Sequence, residues 1–302
     1  MIQPLALLLL LALPQEPEQA PVLHEKVLLG EAHFATWDFT GRLPKVYPLL
    51  APGGTPITRE IKGPGSKPKQ DHPHHVSFWT AHGDINGVDF WHDPKAKIKR
   101  QGDLLRKQDE EAQSTLLRQI FAWHGPTGKL LMRESRALHF HEKDGVRFVD
   151  RVHRFSAPPE EFVVFGDTKE GMFALRLRKE LCPDGGGSLL NAKGQRDGKV
   201  WGQPARWIRY EGEIEGKTIG VAIFGHPDNR RHPTRWHARN YGLAAANPFG
   251  LHHFTGSPKG EGALILKPDE SIDFRWRTAI YSGTRTQEQL ETLWRDWSKT
   301  KH

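Results

Sequence analysis

The stretch Ile272-Asp273-Phe274-Arg275-Trp276-Arg277 alternates apolar and charged side chains. Successive side chains of a β-strand point to opposite faces of its sheet, so this alternation predicts a strand with one buried and one solvated face. The same period recurs at residues 31–39 and 173–177, and glycine, proline and asparagine punctuate the segments between such runs. We therefore predict a mostly β protein.

The C-terminal segment shows helical periodicity instead. A Thr286-x-x-Gln289 capping box precedes apolar residues at positions i, i+3, i+4 and i+7. These residues are Leu290, Leu293, Trp294 and Trp297. The pattern predicts one helix over residues 286–300, with its apolar side packed against the core.

Length and composition favour a large folded unit. With 302 residues, of which 37% are hydrophobic, the chain can bury a large core. Many strands followed by one late helix predict an all-β fold, a large antiparallel β-sandwich whose two sheets share one core. We expect a single sandwich domain over residues 21–302, and two smaller sandwiches are the alternative.

The N-terminal segment predicts export. Residues 5–13 are a run of leucine and alanine that ends at Pro14 and is too short to span a bilayer. Its length and position are typical of a secretory signal peptide over residues 1–20, so we expect a periplasmic or secreted protein. No later stretch of sequence has the length and apolar character of a transmembrane helix, and we expect no integral membrane association.

The charge of the chain bears on its partners. A formal net charge of +7 suggests an acidic partner, either nucleic acid or a polyanionic sugar. Basic residues are spread over alternating strands, as at Arg275 and Arg277, and the sequence has no nucleic-acid-binding motif, phosphate loop or dinucleotide fingerprint. Cys182 is the only cysteine, which excludes an intramolecular disulfide. We expect a carbohydrate partner, with acidic (uronate) sugars included, and no nucleic acid.

Histidines are concentrated in one short segment. Residues 71–92 hold five histidines and three aspartates, among them the run DHPHH at residues 71–75. Imidazoles titrate near neutral pH and bind metals, so beside carboxylates they can form a proton-transfer set or a ligand set. If Pro73 holds the run extended, His72 and His74 share one face and His75 points the other way.

Two later segments also carry polar residues typical of a site. Residues 166–171 (GDTKEG) follow an apolar run, which would place two carboxylates and an ammonium at a strand end. An ordinary charged hairpin has a similar composition. In residues 235–241 (RWHARNY), an extended chain would put His237, Arg239 and Tyr241 on one face and supply an acid or base, an anion clamp and a hydroxyl.

These blocks resemble a known family. Residues 71–75, 82–91, 166–171 and 236–250 are similar to motifs of an uncharacterised bacterial family often labelled PmoA-like or "methane oxygenase", and the resemblance runs over about residues 26–282. The resemblance implies no established activity. By analogy, length and strand content are similar to the β-supersandwich of galactose mutarotases, in which histidines and a carboxylate move protons on a sugar.

The leading hypothesis is an exported carbohydrate-active enzyme that uses histidine and carboxylate acid–base chemistry to hydrolyse, eliminate from or epimerise a sugar. His74 or His75 would act as the general acid, with His237 as a second candidate. Glu170 or Asp167 would act as the base or tune the histidine. We expect His74, Glu170 and His237 to meet in one cleft. No cofactor is required in this hypothesis.

Substrate binding would use cations and aromatic rings near the histidines. Lys169, Arg235 and Arg239 would hold hydroxyls or a uronate carboxylate, on which a cation stabilises the charge that develops when a neighbouring proton is removed. The other expected substrate-binding residues are Trp79, His82, Trp91 and Tyr241.

The first alternative is a metal-dependent oxygenase or hydrolase that uses non-haem iron or zinc. The segment His82-Gly83-Asp84 has the His-x-Asp spacing of a facial triad, and His139-x-His141 has the spacing of two ligands on one strand. The ligands near the histidine run would be His72, His74, His82 and Asp84. A divalent metal is a cofactor only in this hypothesis. The second alternative is a non-catalytic sugar-binding module, which predicts surface aromatic residues without clustered titratable groups.

Overall fold

The computed structural model describes residues 22–63 and 65–300. Within these ranges the regular structure is mainly β, and the strands of both large sheets pair antiparallel. Buried residues of both sheets form one continuous apolar cluster. The predicted antiparallel β-sandwich is therefore confirmed, whereas the predicted signal peptide at residues 1–20 lies outside the described residues.

The strands are numbered in chain order. In spatial order, the seven-stranded sheet consists of β1 (His24–Leu29), β2 (Ala32–Asp38), β3 (Lys45–Leu49), β4 (Phe78–Thr80), β10 (Phe173–Arg176), β15 (Leu243–Asn247) and β14 (Arg235–Ala238). The eight-stranded sheet consists of β11 (Ser188–Asn191), β12 (Trp207–Ile214), β13 (Lys217–Gly225), β17 (Ser271–Ser282), β8 (Val146–Ser156), β7 (Leu130–Lys143), β6 (Ser114–His124) and β5 (Lys97–Asp109). A small pair joins β9 (Val163–Phe165) and β16 (Leu264–Leu266), and the α-helices are α1 (Leu251–Thr255) and α2 (Gln287–Ser298). Three 3₁₀ turns cover Lys179–Leu181, Pro183–Gly185 and Asp197–Val200.

Strand β17 shows how the alternating pattern produces this fold. Phe274 and Trp276 are buried between the sheets, while Arg275 and Arg277 lie on the opposite, partly exposed face. Residues 278–281 are buried on both faces, because α2 packs on the outer side of the eight-stranded sheet. The second apolar layer includes Ala279, Tyr281, Leu290 and Trp297.

Helix α2 begins at the predicted capping box. Thr286 Oγ1 accepts a hydrogen bond from the Gln289 amide at 3.2 Å, and the Thr286 amide donates to Gln289 Oε1 at 2.8 Å. The helix spans Gln287–Ser298, which confirms its type and location with slightly shorter ends than predicted. The five-residue α1 was not predicted from the sequence. None of the helices in the described ranges is both long and apolar enough to cross a membrane.

The two faces of the seven-stranded sheet have different surroundings. Trp236 and Phe173 face the eight-stranded sheet, since their rings lie 6.1 and 5.1 Å from the ring of Trp276. Alternation along the strands places Trp79 and His237 on the other face. We call this the outer face of the seven-stranded sheet, and it carries the histidine cluster.

Candidate functional site

The floor of the site is one row of the outer face. Cross-strand pairing aligns Trp79 of β4, Ala174 of β10, Ala245 of β15 and His237 of β14. Directly opposed residues of antiparallel strands share a face, so these side chains lie side by side. The two alanines leave space between the tryptophan and the histidine, over which the loops of residues 71–77 and 166–171 can pack.

The histidine run forms a tight turn rather than the predicted extended segment. The His75 amide donates to the His72 carbonyl at 3.0 Å, and His72 has a left-handed φ of 42°. Ser77, at the end of the loop, also has a positive φ of 77°. Each such non-glycine conformation costs on the order of 1–3 kcal/mol and is found preferentially at functional sites.

This turn reverses the predicted division of the histidines between faces. The rings of His72 and His75 stack at 4.9 Å with an angle of 8°, whereas His74 meets His75 edge-on at 4.5 Å. The His72 ring also stacks on Tyr241 at 4.8 Å, and His75 stacks on Trp79 at 5.6 Å. The structure therefore joins these rings into a stack that rises from the sheet, with His74 to one side of it.

Two arginines hold the start of the turn. Arg176 of β10 donates to Asp71 Oδ2 at 2.7 Å, and Arg59 donates to the Asp71 carbonyl at 2.9 Å and to the His75 carbonyl at 3.2 Å. Burial alone would raise the pKa of Asp71, but the hydrogen bond to His72 and the charges of Arg176 and Arg59 hold it below its usual value. This carboxylate is therefore ionised and engaged at neutral pH.

Glu170 lies beside His237, and its charge acts on His74, while the convergence of all three in one cleft stays a prediction. Its Oε1 accepts from Lys169 Nζ at 2.7 Å, and its Oε2 lies 3.9 Å from His237 Nδ1. The negative charge of Glu170 opposes the lowering of the His74 pKa that burial causes. Although burial opposes ionisation, Lys169 and His237 lower the pKa of Glu170, so the group is a carboxylate at neutral pH. The roles of these residues in a reaction stay a prediction.

The backbone explains how Glu170 is placed. The Gly83 amide donates to the Glu170 carbonyl at 2.7 Å, and a Cβ added at Gly83 would lie 2.8 Å from the Glu170 Cβ. Only glycine permits this approach without displacement of the loop. His237 Nδ1 lies 2.9 Å from the Lys169 carbonyl, so it carries the proton and donates to that oxygen. His237 thereby fixes the loop and keeps Nε2 as an acceptor.

The imidazoles beside Glu170 are neutral near pH 7. Burial, followed by the charges of His92 and His72, lowers the pKa of His74 to about 4. Burial likewise lowers the pKa of His237 to about 4, against the opposing effect of Glu170. The pKa of His75 falls still further, chiefly through burial. A neutral imidazole accepts a proton, so the lowered pKa values favour His74 as a base, and the general-acid role of His74 or His75 stays a prediction.

The predicted aromatic platforms are buried. Trp79 and Trp91 have 1% and 0% of their surface exposed, and their ring centroids lie 5.1 Å apart beneath His75. Neither ring has a face available to a sugar. Their predicted role in substrate binding is corrected to that of a floor for the histidine turn.

Asp167 is engaged by the backbone. Its Oδ1 accepts from the His252 amide at 3.0 Å and its Oδ2 from the Gly262 amide at 2.9 Å. The bond from His252 ties the loop of residues 166–171 to the first turn of α1, and the bond from Gly262 ties it to the segment before β16. These backbone hydrogen bonds give Asp167 a structural role, and its predicted role as a base stays a prediction.

His82 and Asp84 do not join the histidine turn. His82 is fully buried, its Nε2 lies 3.0 Å from the Gly166 carbonyl, and its ring packs on Phe249 at 5.0 Å. Asp84 Oδ1 accepts from the Gly87 amide within a local turn. The predicted ligand set of His72, His74, His82 and Asp84 is thus not assembled, and His82 is not available to a substrate.

The arginines predicted for binding lie at two different places. Arg235 donates to the Gly202 carbonyl at 2.8 Å and lines a separate cavity of about 280 Å³. Arg239 is exposed at the turn between β14 and β15 and lies over the rings of Trp201 and Tyr241 at 5.8 and 5.9 Å. The cavity of about 330 Å³ beside it is lined by Asp184, Trp201, Arg239, Asn240 and Tyr241. Arg239 and Tyr241 therefore border the histidine turn, and Arg235 does not.

Sequence reasoning left two contributors out of the site. His92 meets His74 at 4.4 Å between ring centroids, and its Nδ1 lies 2.9 Å from Asp89 Oδ2. Arg176 lies over the Tyr241 ring at 4.5 Å. The signal for Arg176 was its position in a strand otherwise made of buried residues, where an arginine needs a partner.

Several solved structures are distantly similar to this chain. An α-galactosidase from Lactobacillus brevis shares 11% identity at a TM-score of 0.43, over 85% of this chain and 39% of that one. A GH36 α-galactosidase from Geobacillus stearothermophilus shares 10% identity at 0.42, over 90% and 41%. A protein of Synechocystis sp. PCC 6803 shares 10% identity at 0.40, over 90% and 100%.

This chain spans about two fifths of the galactosidases that it matches. TM-scores of 0.40 to 0.43 support no inference about the activity of this chain.

The sequence itself gives a clearer result. No curated protein matches it. A family model described as "Family of unknown function (DUF6807)" matches residues 22–295. The expectation of an uncharacterised family is confirmed, and the PmoA-like label stays a prediction. The chain belongs to this family of unknown function.

Proposed function

We propose that this protein is a carbohydrate-active enzyme that removes a proton from the carbon beside the carboxylate of a sugar acid, in an elimination or an epimerisation. The observation that carries the proposal is the ionised Glu170, which lies 3.9 Å from the neutral imidazole of His237 and whose charge acts on the neutral imidazole of His74. A neutral imidazole can accept a proton, and a carboxylate beside it stabilises the imidazolium that forms.

His74 is the proton acceptor in this proposal. It is partly exposed, whereas His75 and His237 have only 3% of their surface exposed. His237 donates to the Lys169 carbonyl and positions the loop that carries Glu170. Burial lowers the pKa of His74, and the charge of Glu170 offsets a part of this lowering. The same charge would compensate the positive charge of His74 once that imidazole is protonated.

Two cations, Lys169 beside Glu170 and Arg239 beside Tyr241, fit the substrate class. Lys169 Nζ lies at the carboxylate of Glu170, and Arg239 is exposed beside the cavity of about 330 Å³. This cavity is lined by Arg239 and Tyr241 and not by His74, Lys169 or Glu170, so it would hold a part of the substrate that extends from the histidine turn past Tyr241. Removal of a proton beside a carboxylate builds charge on that carboxylate, which Lys169 or Arg239 would stabilise.

Carboxylate placement favours elimination or epimerisation over hydrolysis. Most glycoside hydrolases use two carboxyl groups, one on each side of the scissile bond. Near the histidine turn, Asp71 is engaged by Arg59 and Arg176, and Asp167 by backbone amides. Asp89 is engaged by His92 Nδ1 and by the backbone amides of Trp91 and His92. Glu170 is the least engaged of these carboxylates, and a single available carboxylate suits proton abstraction better than hydrolysis.

A screen of purified protein tests the proposal. Uronate-containing oligosaccharides and matched neutral oligosaccharides are supplied, the new C=C bond is followed by ultraviolet absorbance, and epimers are followed by NMR. We expect turnover of the acidic substrates alone and a loss of about 10² to 10⁴ in rate for His74→Ala. His124→Ala, on a distant strand, is the control and should keep full activity.

Equal turnover of neutral substrates, or full activity of His74→Ala, would contradict the proposal. Binding of uronates without any turnover would favour a sugar-binding module. The metal-dependent alternative has lost two of its four predicted ligands near the histidine turn, and no observation at that turn favours it over proton abstraction.

We also propose that the protein is exported, which rests on the leucine run at residues 5–13 alone. The mature chain should begin between Gln15 and Pro21. Intact mass spectrometry of protein from the native host measures this directly, and a chain that retains Met1 would contradict export through a cleaved signal.

A further inference from the structure

A second histidine cluster lies on the outer face of the eight-stranded sheet, away from the candidate site. His139 and His141 project from the same side of β7, and Asp150 of β8 pairs directly with His139. One ligand atom of each residue lies within 4.8 Å of those of the other two. These residues play no part in the proposed sugar chemistry.

The distances match those of a metal site. His141 Nε2 lies 3.3 Å and His139 Nδ1 lies 3.9 Å from the same oxygen, Asp150 Oδ2. A tetrahedral zinc ion with bonds of about 2.0–2.1 Å holds its ligand atoms roughly 3.4 Å apart. Small rotations of these side chains would place both imidazoles and the carboxylate around one ion, provided that Arg277 Nη2, which lies 2.6 Å from Asp150 Oδ2 and 3.3 Å from His141 Nε2, shifts away.

We propose that His139, His141 and Asp150 bind a divalent transition-metal ion, with zinc as the best match. Two histidines and one carboxylate form a common ligand set for zinc and for non-haem iron. The His139 side chain is 41% exposed, so an ion and its water ligands can enter from that side. The inner ligand, Asp150, is 9% exposed and comes from a central strand of the sheet.

Arg277 is the outer partner of this site. Its Nε and Nη2 each donate to Asp150 at 2.6 Å, one to each carboxylate oxygen. Such a partner fixes the orientation of a ligating carboxylate. Its positive charge also repels the metal, so affinity should be lower than at a site without a cation.

Zinc titration against a chromophoric chelator, with tag-free full-length protein, tests this site. The wild-type protein should bind zinc, and His139→Ala and His141→Ala should each weaken this binding about tenfold or more, since loss of even an outer-shell partner typically costs about 10- to 100-fold. His124→Ala on the neighbouring strand β6 is the matched control, and its affinity should equal that of the wild type. Circular dichroism checks that each variant is folded.

His74→Ala separates this site from the histidine turn and should retain zinc. The proposal is overturned by a wild-type protein that binds no zinc, by unchanged affinity in both His139→Ala and His141→Ala, or by loss of zinc in His74→Ala alone.

Discussion

Two regions of the molecule combine a glutamate with histidine, and they differ in what surrounds the carboxylate. Between the sheets, Glu134 is fully buried. Its Oε1 accepts from Arg136 at 2.7 Å and from His153 at 2.7 Å, and its Oε2 accepts from Trp123 at 2.8 Å and from Arg136 at 2.9 Å. Burial opposes ionisation, but Arg136 and His153 lower the pKa of Glu134 to about 2.

On the outer face, Glu170 is partly exposed and less engaged. Among the described residues, its carboxylate has one hydrogen bond, from Lys169 at 2.7 Å, and lies 3.9 Å from His237 Nδ1. A carboxylate has room for about four hydrogen bonds, so Glu134 is saturated and Glu170 is not. The comparison shows that unused acceptor capacity and access to solvent, more than residue type, mark the candidate site.

The largest expected effect is that of Glu170→Gln on rate. Loss of the charge that stabilises a protonated His74 should lower turnover by about 10² to 10⁴, with little change in melting temperature. Steady-state kinetics on the substrate found by the screen, beside thermal unfolding, measures both. Full activity, or a large fall in melting temperature, would remove the distinction between the two glutamates.

The opposite result is expected for Glu134→Gln. It leaves the Arg136 charge buried without its counterion, and breaking a buried pair in this way typically costs about 3–5 kcal/mol of unfolding free energy. Denaturant unfolding measures the cost. Glu110→Gln, in an exposed turn, serves as the control, and a variant of Glu134 as stable as this control would show that the interior network contributes nothing.

His75→Ala should affect stability more than His74→Ala. The His75 ring is buried against Trp79 and Trp91, and large-to-small core substitutions of this kind cost about 2–3 kcal/mol or more. His74 is only partly buried, so its truncation should change rate and leave the unfolding free energy nearly unchanged. Equal destabilisation of both variants would indicate a purely structural turn.

The last expected effect is on the pH dependence of stability. Burial lowers the pKa of His82 and His237 from 6.5 to about 4, so the unfolded chain binds protons more readily and stability falls as the pH drops from about 6.5 to 4. The pKa of Glu134 is lowered from 4.5 to about 2, so its contribution to the unfolding free energy is lost as the pH falls from about 4.5 to 2.

Unfolding of the wild type and of Glu134→Gln across pH 2–8 checks these two windows. Glu134→Gln should flatten the lower window and keep the upper one. Stability of the wild type that is constant from pH 7 to pH 4 would contradict the histidine contribution.

The sequence predicts the strands and the terminal helix because both leave local patterns. Alternation in β17 and the capping box at Thr286 act over a few residues, and both are seen in the structure. The left-handed backbone of His72 leaves no such pattern, since Pro73 suggested an extended chain, and the turn depends on contacts with Arg59 and Arg176 from distant segments.

The sequence of β7 also carries a signal for the interior network around Glu134. Glu134 and Arg136 fall in phase with the buried Met132 and Leu138 of β7, so they occupy core positions of an alternating strand. Charged residues in that phase must be paired. Their partner His153 lies on the next strand, and only the register of the sheet shows that the three meet.

The fate of one hydrogen atom tests the central claim most directly. A uronate substrate is deuterated at the carbon beside its carboxylate and turned over by the wild-type protein, and the product is examined by NMR. Abstraction by the His74–Glu170 pair predicts a product that has lost this deuterium to solvent. A product that retains the deuterium with unchanged configuration at this carbon would show that the C–D bond is never broken, and would contradict the account.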